Sequence, residues 1–207
     1  MNQKNSLGLD SCFMDLDDPL ELFNIWMSEA KKKEINDPNA LSLATISNKN
    51  EPGVRMVLLK EASKKGFVFY TNLNSPKSNS LKNNPKAAMC FHWKSIQRQI
   101  IISGSVSQVN DSEADAYFKS RPYESRIGAW ASDQSKVMNK RQDFLNKIDE
   151  FKKKYKDKNS VPRPKNWSGW CLVPLSFEFW LGDKYRIHER LKYSKVSNDW
   201  KKEILYP

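Results

Sequence analysis

The feature that most constrains the fold is a series of short strand-like segments separated by turn residues. LSLATIS and VRMVLLK are joined by NKNEPG, FVFYT follows ASKKG, and AAMCFHW and RQIIISGSVSQV flank KSIQ. Four further segments follow near the carboxyl end: GWCLV, SFEFWL, KYRIHERLKY and WKKEILY. Runs of this kind at close spacing are typical of an antiparallel meander that closes into a barrel or a sandwich.

Helical segments interrupt the strands. DDPLELFNIWMSEAKKKE has Asp18 as a predicted N-cap and Pro19 at the first helical position. SPKSNSLKNN shows the same arrangement, and residues 111–155 have helical character. We therefore predict an α+β fold, an antiparallel β-barrel with peripheral helices. Residues 1–17 are expected to be a flexible N-terminal segment, and residues 18–207 a single domain.

Composition limits the function classes. Lys and Arg number 35 against 24 Asp and Glu, a net charge of +11, which favours an anionic partner. With seven glycines in total, the chain has neither GxGxxG nor a Walker A motif. Three scattered cysteines and two histidines argue against a metal site or a disulfide framework. The N-terminus lacks an apolar signal region, so we expect a cytoplasmic protein that binds no membrane.

Cations, hydroxyls and aromatic residues recur near predicted strand ends and helix starts. In YTNLNSPKS, Lys77 lies beside a helix start, an arrangement suited to phosphate. In AYFKSRPYES, Tyr117 and Arg121 are four residues apart, and Ser125 is a candidate cap of the next helix. If YRIHER is a strand, Arg186, His188 and Arg190 share one face. Helix capping, a surface lysine and tyrosine packing on an arginine stem are the structural explanations that remain open.

Taken together, these motifs resemble the pyridoxine (pyridoxamine) 5′-phosphate oxidase family, FMN-dependent enzymes of vitamin B6 metabolism. The match is nearly collinear from about residue 18 and includes DPLELF, RMVLLK, GFVFYTNLNSPK, RQIIISG, YFKSRPYESRIGAWAS, EFW and YRIHER. The resemblance implies an FMN-binding split barrel that works as a homodimer. In it, residues 165–207 complete the active site and the dimer interface.

The resemblance also implies roles for individual residues. The implied FMN contacts are Arg55, Met56, Val57, Leu58, Leu59, Lys60, Tyr70, Thr71, Lys77, Gln99, Gln134, Ser135, Trp180 and Arg190. The implied substrate contacts are Lys60, Tyr117, Arg121, Ser125, Arg186 and His188. Arg186 is the first candidate for a catalytic residue and His188 the second, and the sequence does not decide which of them orients the reacting carbon or accepts a proton.

The implied reaction oxidises pyridoxine 5′-phosphate or pyridoxamine 5′-phosphate to pyridoxal 5′-phosphate, with O₂ reduced to H₂O₂. One departure concerns the cofactor, because Pro76 stands where the family usually has an arginine. Loss of a charge-assisted contact is expected to weaken FMN binding roughly ten- to hundredfold. The N-terminus also lacks the family's basic segment, and Ile204 replaces a cation near the C-terminus.

Three other functions remain open on the sequence. The first is a related split-barrel flavin oxidase with another substrate, as in phenazine pathways. The retained residues that argue against it are Tyr117, Arg121, Ser125, Arg186 and His188. The second is a basic nucleic-acid-binding barrel, which the charge and the aromatic residues permit but no basic stripe supports. The third is a carrier of flavin or pyridoxal phosphate without turnover. We expect small phosphorylated B6 vitamers as partners, and no nucleic acid.

Overall fold

The structure, a computed structural model, describes residues 3–207. The helices within this range are α1 (Pro19–Lys33), α2 (Pro76–Asn83), α3 (Asp111–Ser120), α4 (Tyr123–Ala131) and α5 (Arg141–Lys154). The strands are β1 (Ala40–Ile46), β2 (Pro52–Leu58), β3 (Glu61–Ser63), β4 (Gly66–Asn72), β5 (Lys86–Trp93), β6 (Arg98–Gln108), β7 (Trp167–Leu181), β8 (Glu189–Val196) and β9 (Asp199–Leu205). Among residues 3–207, no helix is long and apolar enough to cross a membrane.

All strand pairs are antiparallel, and the long strand β7 organises them. The sheet order is β2-β1-β5-β6-β7-β4-β3, with β8 added to β7 and β9 to β8. The first part of β7 pairs with β4, whereas residues 176–181 pair with β8. The sheet therefore divides along β7, the arrangement of a split barrel, which confirms the predicted antiparallel fold with peripheral helices.

The core lies between the curled sheet and α1. Asp18 caps this helix by accepting a hydrogen bond from the Leu20 amide, and Pro19 is its first residue, as predicted. The Phe23 ring packs edge-on against Phe67 and Phe91 with centroid distances of 4.9 and 5.4 Å. Fully burying one such side chain contributes about 1.5–3 kcal/mol to stability. The aromatic contacts hold α1 against the inner face of the sheet.

Strand prediction was wrong at three places. GWCLV and SFEFWL belong to one 15-residue strand, and the short β3 includes the first two residues of the expected turn ASKKG. KYRIHERLKY becomes a strand only at Glu189, because residues 182–188 form a loop. In that loop Tyr185 and Arg186 have φ angles of 57° and 64°, in the left-handed region. The predicted tight turn at Gly182-Asp183 and the shared face of Arg186, His188 and Arg190 are therefore not formed.

The N-terminal residues make specific contacts in the structure. The Phe13 side chain is fully buried, and Trp26 Nε1 donates a hydrogen bond to the Cys12 carbonyl at 2.7 Å. The Lys4 ammonium forms an ion pair with Glu189, next to the predicted substrate residues. Flexibility of residues 1–17 stays a prediction, but the buried phenylalanine gives residues 3–17 a defined place on the fold.

Candidate functional site

A cavity of about 810 Å³ lies beside β2, β4 and α4. Small-molecule sites commonly have volumes of 300–1,000 Å³, so this one is large enough for a sizeable ligand. It brings together eleven residues that the sequence analysis assigned to cofactor or substrate. They are Met56, Val57, Leu58, Lys60, Tyr70, Thr71, Lys77, Tyr117, Arg121, Ser125 and Gln134.

Strand β2 contributes backbone as well as side chains to this cavity. It pairs with β1 and lies at the edge of the sheet formed by the described residues. One row of its peptide N–H and C=O groups therefore has no strand partner, and an edge of this kind can pair with the polar groups of a flat ligand. Leu59, just beyond the strand, is buried in the core and does not line the cavity.

At one end of the cavity, Lys77 is buried and surrounded by neutral groups. Its side chain belongs to α2, and the residue is 7% exposed. Its ammonium donates to Thr71 Oγ1 at 3.0 Å, Ser75 Oγ at 3.2 Å and Gln134 Oε1 at 2.9 Å. Burial, followed by the nearby charge of Arg55, lowers the pKa of Lys77 to about 8. A buried cation without a carboxylate is suited to an anionic ligand.

Arg55 supports this end from β2. Its Nη1 donates to the Leu43 carbonyl at 3.0 Å and to Thr45 Oγ1 at 2.7 Å. Burial lowers the pKa of its guanidinium, which has no carboxylate partner among the ion pairs of residues 3–207. Arg55 does not line the cavity, so it acts on a ligand there through its positive charge and not through direct contact.

At the other end of the cavity, Arg121 is a second, half-buried cation with unused hydrogen-bonding capacity. It is the C-cap of α3, and its guanidinium carbon lies 4.7 Å from the centroid of the Trp167 ring. Its Nη1 is buried and has no hydrogen-bond partner. Burial lowers the pKa of Arg121, Tyr117 opposes this shift, and Arg126 adds to it. An anion at Nη1 would satisfy an otherwise orphaned donor.

Three aromatic rings form a stacked wall beside Arg121. Tyr70 stacks on Tyr117 with a centroid distance of 4.0 Å and an interplanar angle of 15°. The Trp167 ring is nearly parallel to Tyr70 at 5.2 Å. Burial raises the pKa of Tyr70 to about 12, so its hydroxyl stays protonated and can donate. Ser125 lies on α4 but is not the predicted cap, because Pro122 occupies that position.

The remaining predicted site residues lie elsewhere in the chain. Gln99, Trp180 and Arg190 form a row across β6, β7 and β8, since Trp180 is in register with both neighbours. Trp180 and His188 line a separate groove of about 290 Å³. Ser135 lines a third cavity. Arg190 donates to Glu178 Oε1 at 2.7 Å, and Arg186 is exposed in the loop before β8.

His188 has a defined hydrogen bond within this second group. The Asp183 amide donates to His188 Nδ1 at 3.1 Å, and the imidazole centroid lies 4.7 Å from that of Trp180. Because Nδ1 accepts, the neutral ring carries its proton on Nε2. The ring in this state can donate through Nε2 but cannot accept a proton there.

The structure adds cavity residues that the sequence analysis missed. Trp167 closes the aromatic wall, and Gly128, Ala129 and Ser132 line the side formed by α4. Trp167 opens the WSGW segment, and no local pattern distinguishes it from a core tryptophan. Gly128, Ala129 and Ser132 have small or absent side chains, which offer no chemical signal in the sequence.

The fold and this cavity define a class: a split-barrel protein with a large site lined by a buried lysine, a half-buried arginine and a flat aromatic wall. Two family models match the chain. One, described as pyridoxamine 5′-phosphate oxidase, matches residues 27–155, and the other, a pyridoxine 5′-phosphate oxidase C-terminal dimerisation region, matches residues 167–207. The chain belongs to the pyridoxamine 5′-phosphate oxidase family, which confirms the resemblance noted from its motifs.

Individual relatives agree along the whole length. A pyridoxine/pyridoxamine 5′-phosphate oxidase of Pelagibacter ubique is 63% identical, with 100% of both chains covered. One from Allorhizobium ampelinum is 47% identical, covering 94% of this chain and 95% of the relative. Among solved structures, PhzG of Burkholderia lata in complex with tetrahydrophenazine-1-carboxylic acid has a TM-score of 0.88 at 27% identity. The match covers 95% of this chain and 96% of that one.

Proposed function

We propose that this chain is an FMN-dependent oxidase of pyridoxine 5′-phosphate and pyridoxamine 5′-phosphate. The observation that carries the proposal is a pair of cations in one cavity, the buried Lys77 and the half-buried Arg121. Neither has a carboxylate partner among the ion pairs of the described residues. Two phosphates, one on a cofactor and one on a substrate, would neutralise them. Relatives at 46–63% identity that are named as this oxidase support the proposal.

The residues present fit FMN. Lys77 and Thr71 would hold the phosphate, with Arg55 adding positive charge behind them. The free edge of β2 offers peptide groups to the polar rim of the flavin ring. When bound, FMN supplies hydride acceptance from the C4′ carbon of the substrate and passes the electrons to O₂. Pro76 has no charge and no backbone N–H to offer at the start of α2. Lys77 is therefore the main cation that lines this end of the cavity.

The chain's own residues would bind and orient the substrate. Arg121, Tyr117 and Ser125 would hold its phosphate, with Lys60 at the same cavity. Arg186 and His188 would meet the pyridine ring from a loop that can approach a ligand from outside. Since His188 accepts at Nδ1, its Nε2–H would donate to the substrate, and we propose orientation rather than proton abstraction for this residue.

We propose a homodimer in which a second copy completes each site. The matched C-terminal dimerisation region, residues 167–207, supports dimerisation. Gln99, Trp180 and Arg190 lie in one row away from the cavity that contains Lys77. A second copy that presents this row and the loop with Arg186 to the cavity would bring the two groups together. Residues 165–207 then serve both the active site and the interface, within a single domain of residues 18–207.

An anaerobic visible spectrum tests the proposed function directly. Purified protein is loaded with FMN and mixed with pyridoxine 5′-phosphate in the absence of air. We expect the visible absorption band of the flavin to bleach. It should recover when air is admitted, while pyridoxal 5′-phosphate and H₂O₂ appear. Bound flavin that never bleaches would contradict the proposed substrate. Failure to bind flavin would contradict the proposed cofactor.

A second function, oxidation of a phenazine-type substrate, follows from the structural match with PhzG. The same spectrum distinguishes the two, because a reduced phenazine carboxylic acid in place of pyridoxine 5′-phosphate would then bleach the flavin. The phosphorylated substrate is favoured, because relatives at 46–63% identity are named pyridoxine/pyridoxamine 5′-phosphate oxidases, whereas PhzG is 27% identical.

FMN binding should weaken at alkaline pH because Lys77 must be protonated to attract a phosphate. Its pKa in the unliganded chain is about 8, and an anion raises that pKa by stabilising the ammonium form. The Kd for FMN should therefore be nearly constant from pH 7 to 8 and rise up to about tenfold per pH unit above this. Fluorescence titration of flavin from pH 7 to 9.5 measures the change.

The matched variants for this prediction lie on the same helix. Lys77→Met should bind FMN weakly and lose the alkaline dependence. Lys82→Met removes an exposed lysine whose ammonium contacts the Leu73 carbonyl, and it should keep the dependence of the parent protein. An identical pH profile in Lys77→Met and the parent would rule out Lys77 as the titrating group.

A further inference from the structure

Helix α4 has one face fixed to the rest of the chain. Three of its side chains donate hydrogen bonds to carbonyl groups that each lie 32 residues further along the sequence. They are Tyr123 Oη to Tyr155 at 3.0 Å, Arg126 Nη2 to Lys158 at 2.8 Å and Trp130 Nε1 to Pro162 at 2.8 Å. These three hydrogen bonds fix the position of α4, which forms one wall of the cavity.

The other face of α4 is made of small residues that line the cavity. Ser125, Gly128, Ala129 and Ser132 follow one another at helical spacing on this face. Ser125 is at the end occupied by Arg121, and Ser132 is two residues before Gln134, which contacts Lys77. Since three residues of helix rise about 4.5 Å, Gly128 lies one turn from Ser125, between the two cations.

Gly128 differs from the other six glycines, all of which lie in the described part of the chain. A Cβ atom added at five of them would come within 3.0 Å of a neighbouring atom, and Gly8 has a φ angle of +75°. At Gly128 an added Cβ meets nothing within 4 Å, and the residue is inside a helix, where alanine is the more stable choice. No contact with the other residues of the range 3–207 requires a glycine at this position.

We propose that Gly128 is a specificity-determining residue whose missing side chain leaves room for the ring of the phosphorylated substrate. The ring would lie against α4, with its phosphate at Arg121 and Ser125 and its reactive carbon toward the flavin end. This inference rests on the proposed function and deepens it. Its physical content is steric: bulk at residue 128 fills ligand space without disturbing the protein.

The test compares Gly128→Ala and Gly128→Leu in the FMN-loaded protein. Overpacking a well-filled site is costly, so we expect the KM for pyridoxine 5′-phosphate to rise about tenfold with alanine and more than a hundredfold with leucine. FMN content and oligomeric state should match the parent. The melting temperature of Gly128→Ala should be equal or higher, because alanine is the better helix former.

Glu124→Leu is the control for a leucine on α4, since it places the same side chain at an exposed position and should leave the KM unchanged. An unchanged KM in Gly128→Leu would overturn the inference while leaving the proposed function intact. Loss of FMN or of the dimer with an unchanged KM would also overturn it, because residue 128 would then face the cofactor or the second copy. A parent protein without turnover would overturn the proposed function and this inference together.

Discussion

Replacing Arg121 with alanine should raise the KM for pyridoxine 5′-phosphate about ten- to hundredfold while leaving the FMN content unchanged. A hydrogen bond to a charged group contributes about 1.5–3 kcal/mol, and each 1.4 kcal/mol is a factor of ten. The Arg121 Nη1 is buried and free to donate, so it can make this contact without breaking another. Steady-state kinetics and the flavin absorbance of the purified variant measure the two quantities.

The control is Lys119→Ala, which removes an equal charge from an exposed position of the same helix. It should change the KM less than twofold, because an exposed charge is screened by salt. Pyridoxine without a phosphate provides a second comparison, since the Arg121→Ala variant should discriminate poorly between it and the phosphorylated substrate. A KM for the phosphorylated substrate equal to that of the parent would contradict the phosphate site.

Replacing Arg186 with glycine should lower kcat about a hundredfold without lowering the melting temperature. Losing one preorganised electrostatic group at a reacting centre commonly costs a factor of 10²–10³ in kcat. Stability should persist because Arg186 is exposed and has a φ angle of 64°, which glycine adopts without strain. Stopped-flow reduction of the flavin and a thermal melt give the two results.

Tyr185→Gly separates the backbone from the side chain in this experiment. Tyr185 has a φ angle of 57° and is 90% exposed, so its replacement gives the loop similar freedom while keeping Arg186. We expect it to retain most of the parent kcat. If both glycine variants lose activity equally, the conformation of the loop, rather than the guanidinium, is what the reaction needs.

The cations at the two ends of the cavity account for only part of the chain's net positive charge. Lys77 is buried and Arg55 and Arg121 are half-buried, and none of them has a carboxylate partner among the ion pairs of residues 3–207, which points to anionic ligands. The exposed lysines at the end of α5 show no such arrangement and fit a solvated surface. The net charge of +11 therefore mixes a few site residues with many surface ones.

Sequence reasoning predicted the elements with strong local signals. Asp18 with Pro19 marked the start of α1, and Ser75 with Pro76 marked α2, because caps and proline act through adjacent backbone groups. It also predicted that Lys77, Tyr117 and Arg121 belong to one site, through their motifs and the family resemblance. All three line one cavity, and their roles in binding stay a prediction.

Local patterns determined the antiparallel α+β fold and the family of this chain, and they predicted the cations of the candidate site. Tertiary structure alone decided the loop at residues 182–188, the unbroken β7, and the division of the site residues into two separate groups. It also placed Gly128 beside the open volume of the cavity. The physical reason is that strand register, burial and free volume depend on residues far apart in sequence, which no short pattern encodes.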